Sequence, residues 1–106
     1  MCDSKTLDGH PFQAVYEKYV VAIAEASGVL PLLLPALPRP LDVGDILATV
    51  DGVLMTGSKS NVHPDHYQGP PSRDGTLHDH NRDSLSLDLI RGAVDGGIPL
   101  FCLCRG

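Results

Sequence analysis

Ile98-Pro99-Leu100-Phe101-Cys102-Leu103-Cys104-Arg105-Gly106 is the stretch whose reading decides the fold. A short apolar run without alternation reads as a strand buried on both faces, the habit of parallel sheets. It delivers a cysteine at its carboxyl end, and Arg-Gly follows at once, as at a sharp strand-to-helix turn that presents a nucleophile. Just upstream, Arg82 to Val94 has helical spacing. Leu85, Leu89 and Ala93, with Ile90 and Val94 beside them, form its buried face, and Gly96-Gly97 stop it. Before that helix, Val50 to Thr56 reads as a second buried strand, ended by Gly57-Ser58.

Between the second strand and that helix, Ser58 to Asp79 is a long loop rich in Pro, Gly, His, Asp and Ser, a length that is usually functional or disordered. Further back, Asp42 to Thr49 reads as a short helix, and Pro35, Pro38 and Pro40 as an extended connector. Val29 to Leu34 reads as another buried strand, with Pro31 a defect within it. From Phe12 to Ala26, Val15, Tyr19, Ala22, Ile23 and Ala26 draw one apolar helical stripe, and Gly28 is a C-cap. Gly9-His10-Pro11 reads as a turn with Pro opening that helix, and Met1-Cys2-Asp3-Ser4 as the end of a first strand. Apolar strands alternating with amphipathic helices predict an α/β fold, a parallel sheet with helices on both faces. Right-handed crossovers then place Thr56-Gly57 and Cys104 together at the carboxyl edge, where open α/β sheets bind ligands.

At 106 residues, one domain is the ceiling. Thirteen acidic against eight basic residues give a formal charge of −5, and aromatics make up only 5%. That balance argues against a nucleic-acid partner, which needs clustered positive charge. Mean hydropathy is +0.01, and no apolar run is long enough to span a bilayer, so no membrane role is expected. Three cysteines without a CxxC pair predict reduced thiols in a cytoplasmic setting. Cys2 and Cys102 read as core residues.

The chemistry centres on Cys104. The N-terminus of a following helix would lower its pKa and favour the thiolate. The Arg105 amide would point toward an oxyanion. Gly57 lets the backbone approach a substrate and present a second free N–H. His63-Pro64-Asp65-His66 and His78-Asp79-His80 raise a metal-binding alternative, but their spacing is weak and solvated loop histidines are the preferred reading. Asp83 complements the dipole of its helix, and Lys59 could attract an anionic substrate.

Leu54-Met55-Thr56-Gly57-Ser58-Lys59-Ser60-Asn61-Val62, then Pro64, Tyr67 and Arg82-Asp83-Ser84-Leu85-Ser86-Leu87, together with the closing segment from Ile98, resemble the gamma-glutamyl-gamma-aminobutyrate hydrolases. These are class I glutamine amidotransferase-like enzymes. Tyr16-Glu17-Lys18-Tyr19-Val20 fits the same pattern. The resemblance implies a flavodoxin-like sheet and hydrolysis of gamma-glutamyl amides through a Cys-His-Glu triad, with no metal or nucleotide cofactor. It puts the nucleophile at Cys104, oxyanion donors at the amides of Gly57 and Arg105, and Ser58, Ser60 and Asn61 beside a small gamma-glutamyl substrate. In that family the His and Glu follow the nucleophile. Residues 1–106 are therefore expected to be the N-terminal part of such a domain, inactive without the base. The alternative is a half-domain that acts only by association with itself or with a complementing chain.

Overall fold

The computed structural model describes residues 1–39 and 41–106, so Pro40 of the expected connector lies outside the described residues. The chain opens on a hairpin. β1 (Asp3–Leu7) pairs antiparallel with β2 (His10–Ala14), from Asp3 opposite Ala14 to Leu7 opposite His10. Asp8 (φ 50°) and Gly9 (φ 78°) make the two-residue turn. Positive φ at both central positions is the turn geometry whose twist matches paired strands, and Asp-Gly supplies it cheaply. α1 (Glu17–Ser27) follows and ends on Gly28 at φ 61°.

α2 (Val43–Leu47) starts where the Asp42 carboxylate accepts the Asp45 N–H at 2.9 Å. β3 (Val53–Met55) then pairs parallel with β4 (Leu100–Cys102), Met55 lying opposite Cys102. The long loop between them contains one 3₁₀ turn at Pro64–His66, and α3 (His80–Asp95) completes the crossover. Asp79 caps α3 by accepting the Arg82 N–H at 3.0 Å. The result, among the described residues, is a mixed α/β structure with one short antiparallel and one short parallel sheet.

The core gathers under β3 and α3. Leu85 and Leu89, one helical turn apart on α3, meet Met55, Ala36 and Met1, with Val43, Ile46 and Leu47 of α2 packed alongside. The predicted α3 stripe is borne out at Leu85, Leu89 and Ala93, whereas Val94 is exposed.

Several expectations are corrected. Gly9-His10-Pro11 does not open a helix: His10 and Pro11 begin β2, because Asp8-Gly9 closes a hairpin that the apolar stripe concealed. The first strand is β1 rather than a remnant ending at Ser4, and the first helix starts at Glu17 and has no buried residue. Val29 to Leu34 is not a strand: Leu30 is 81% exposed, and the Cys2 N–H to Leu34 carbonyl bond, 2.8 Å, ties it down only at its end. Pro31, which has no N–H to donate, sits within it. Cys102 is exposed rather than core, as is Phe101 beside it, so β4 lacks the two-sided burial its composition implied.

Candidate active site

The parallel pairing of β3 and β4 brings their carboxyl ends side by side. The Leu103 N–H donates to the Met55 carbonyl at 2.9 Å, carrying the register one step past β4. Cys104 comes next, exposed and left-handed at φ 58°. A non-glycine residue in that region is uncommon, and such conformations concentrate at functional sites. Cys104 and Arg105 form a turn, closed by the Gly106 N–H to the Leu103 carbonyl at 2.9 Å.

Gly57 lies directly against this turn. A Cβ at residue 57 would stand 3.2 Å from Cys104 Cβ and 3.7 Å from its Sγ. It would also stand 2.9 Å from the Tyr19 hydroxyl of α1. The two stretches that the sequence singled out therefore meet, and a third residue joins them. Tyr19 was read only as part of an apolar stripe, since its sequence neighbours say nothing of where its hydroxyl ends.

Past Gly57, the Ser58 and Ser60 hydroxyls are hydrogen-bonded at 3.0 Å, and Ser58 Oγ accepts the Ser60 N–H at 3.1 Å. Ser60 is buried and Lys59 exposed. Asn61 makes an isolated parallel bridge with His78. Its N–H donates to Leu77 at 2.8 Å, and its carbonyl accepts from His78 Nδ1 at 2.9 Å. An open cleft of about 410 Å³ runs between β1 and the start of α3, with Ser60, His78 and Asp79 on its wall. Neither Gly57 nor Cys104 lines it, so Ser60 borders a different recess from the thiol.

Two buried arginines fix the site from behind. The Arg82 guanidinium, fully buried, pairs with Asp3 and donates to the Thr56 carbonyl immediately before Gly57. Arg105 pairs with fully buried Asp83, which also accepts the His63 N–H at 3.0 Å. Asp83 thus ties the Cys104 turn, the loop and the first turn of α3 to one carboxylate, well beyond the dipole role its position suggested. Burial lowers the Arg105 pKa, as does the Arg82 charge, while Asp83 pulls it back up. The Arg105 side chain is thus committed inward, toward Asp83.

The histidines divide. His63, His78 and His80 draw together, with ring centroids 4.8 Å apart for His63 and His78 and 5.0 Å for His63 and His80. Among the described residues no three His, Cys, Asp or Glu side chains are arranged to hold a metal ion. His66 lies 3.9 Å from Asp83. Also among the described residues, no helix is long and apolar enough to cross a membrane.

A cysteine on a left-handed turn beside a glycine thus stands at the carboxyl edge of a parallel pair, the edge at which open α/β sheets bind ligands. The chain belongs to the Peptidase C26 family, whose model matches residues 1–106. It is 43% identical over 107 residues to gamma-glutamyl-gamma-aminobutyrate hydrolase of Escherichia coli O157:H7, covering all of this chain and 41% of that protein. Against the corresponding hydrolase of Escherichia coli K12 the identity is 42%, with the same coverage. Protein NtpR of Enterococcus hirae is 27% identical over 101 residues, 95% of this chain and 41% of its own length. The chain thus spans about two-fifths of the length of these curated relatives.

Proposed function

We propose that residues 1–106 are the N-terminal part of a flavodoxin-like, cytoplasmic hydrolase domain that cleaves gamma-glutamyl amides through Cys104. The Cys104 sulfur attacks the gamma-carbonyl carbon, the C–N bond breaks, and the amine leaves with a proton. Water then hydrolyses the glutamyl thioester to glutamate. The amides of Gly57 and Arg105 receive the oxyanion, and Ser58 and Asn61 lie on the substrate side, while Ser60 borders the separate cleft. The His and Glu of the triad come from beyond the region matched here, and the chemistry requires no metal.

The observation that carries this reading is the left-handed Cys104 packed on Gly57 at the ends of two hydrogen-bonded parallel strands. The test uses gamma-glutamyl-gamma-aminobutyrate and follows glutamate release by the protein, alone and mixed with the remaining three-fifths of the Escherichia coli relative as a separate polypeptide. Release is expected in the mixture and lost on Cys104→Ser. Release that survives Cys104→Ser refutes the reading. A half-domain working through association has its own support: Phe101 on β4 is 61% exposed, and Leu30, Leu32 and Leu33 are exposed near α1. Light scattering that finds a monomer, with no change on adding the complementing polypeptide, removes that second reading.

A further inference from the structure

Tyr19 projects from the first turns of α1 onto Gly57, and Gly57 has no Cβ to keep it away. The position a Cβ would take lies 2.9 Å from the tyrosine hydroxyl and 3.7 Å from Cys104 Sγ. The hydroxyl, the glycine and the sulfur therefore converge on one spot. Among the described residues that hydroxyl makes no hydrogen bond. The phenol is held in place by its ring: Tyr16 packs on it edge to face at 6.4 Å, and Lys18 Nζ lies 5.1 Å from its centroid. A hydroxyl donor without a protein acceptor among the described residues, beside a thiol, is poised for an acceptor on a ligand.

We propose that Tyr19 is a substrate-contacting residue, its hydroxyl donating to the carbonyl oxygen of the gamma-glutamyl group as Cys104 attacks. The proposal rests on the hydrolase reading of Cys104. Tyrosine hydroxyls can serve as oxyanion donors. Gly57 then has two tasks. It offers an amide, and its missing side chain is the gap through which the phenol reaches the same oxygen.

The test needs no turnover. A gamma-diazomethyl ketone analogue of glutamine places a ketone oxygen where the substrate carbonyl sits. The thiol proton goes to the diazo carbon, N2 leaves and a C–S bond forms, so labelling is read by mass at each cysteine. Iodoacetamide, which loses iodide by direct displacement, is the reference reagent. Tyr19→Phe is expected to slow diazo-ketone labelling of Cys104 about tenfold while leaving iodoacetamide labelling within about twofold. Tyr19→His, which keeps a ring-borne donor, should fall between. Protection of buried Cys2 from iodoacetamide reports that each variant stays folded, and Tyr19→His carries the test if Tyr19→Phe loses that protection. Wild-type diazo-ketone rates in the folded variants overturn the Tyr19 assignment alone. Labelling of the unaltered protein, mixed with the complementing polypeptide that supplies the base, no faster at Cys104 than at Cys102 overturns the hydrolase reading, and the Tyr19 assignment with it.

Discussion

Replacing Asp83 with asparagine removes one charge from the interior and leaves another behind. Asp83 is fully buried, and the Arg105 side chain paired with it is 4% exposed. Arg105 Nε already has no hydrogen-bond partner among the described residues. The nearby Arg82 charge opposes Arg105 further. Breaking one side of such a pair costs about 3–5 kcal/mol, because the remaining ion is uncompensated. An asparagine oxygen can still accept the His63 N–H, so the lower end, about 3 kcal/mol, is expected. That is a large part of the roughly 5–15 kcal/mol that holds a domain of this size together. With a urea slope of about 1–3 kcal/mol per molar, the unfolding midpoint should fall by about 1–3 M. Circular dichroism in urea measures the shift, and hydrogen exchange at the Gly106 amide reports whether the Cys104 turn loosens with it. Asp83→Leu combined with Arg105→Met should cost less than Asp83→Leu alone, since no orphan charge remains. A midpoint for Asp83→Asn within about 0.3 M of the parent would refute the claim that this carboxylate anchors the turn.

Three further outcomes follow from the same contacts. Gly57→Ala sets a methyl 3.2 Å from Cys104 Cβ and 2.9 Å from the Tyr19 hydroxyl; both neighbours must shift to admit it, so thermal denaturation should show a loss of about 1–3 kcal/mol together with a changed alkylation rate at Cys104. Asp79→Ala removes the α3 cap and the acceptor of the Ser4 N–H at 2.8 Å, a loss of about 2–3 kcal/mol in urea unfolding. Burial pushes the Cys2 thiol above its ordinary 9.0, so above that pH the unfolded chain releases the proton first and the unfolding midpoint should drop as pH rises; Cys2→Ala should flatten that dependence.

The parallel strand pair, α3 and its buried leucines were legible because each carries its own pattern: an apolar run, a helical stripe and a glycine stop. The first third of the chain was legible only in part: the first helix and its Gly28 cap were read, the hairpin before it was not. Val15, Tyr19, Ala22, Ile23 and Ala26 are spaced for a helix, yet the spacing extends past the helix into the residues after β2. Asp8-Gly9 held the opposite signal, and its pull toward a hairpin wins because both residues accept positive φ. Leu30, Leu32 and Leu33 show a different limit. Hydrophobicity says that a segment favours burial, whereas strand formation also needs a neighbour whose amides and carbonyls face its own.

The meeting of Gly57 and Cys104 was legible for a topological reason: parallel strands joined by a crossover must end on the same edge, whatever side chains they carry. The backbone state of Cys104 was not, because a left-handed non-glycine residue has no compositional mark. Its cost, about 1–2 kcal/mol, has to be met by neighbours, and those neighbours are identifiable. The Leu103 N–H is held by Met55, the Gly106 N–H by Leu103, and the Arg105 guanidinium by Asp83. One of these three restraints is local to the turn, one comes from β3 and the third from the opening turn of α3. The conformation that exposes the thiol is therefore set in part by α3, through a charge pair shielded from solvent. This is why a change at Asp83 should be felt at Cys104 before it is felt in the leucine core.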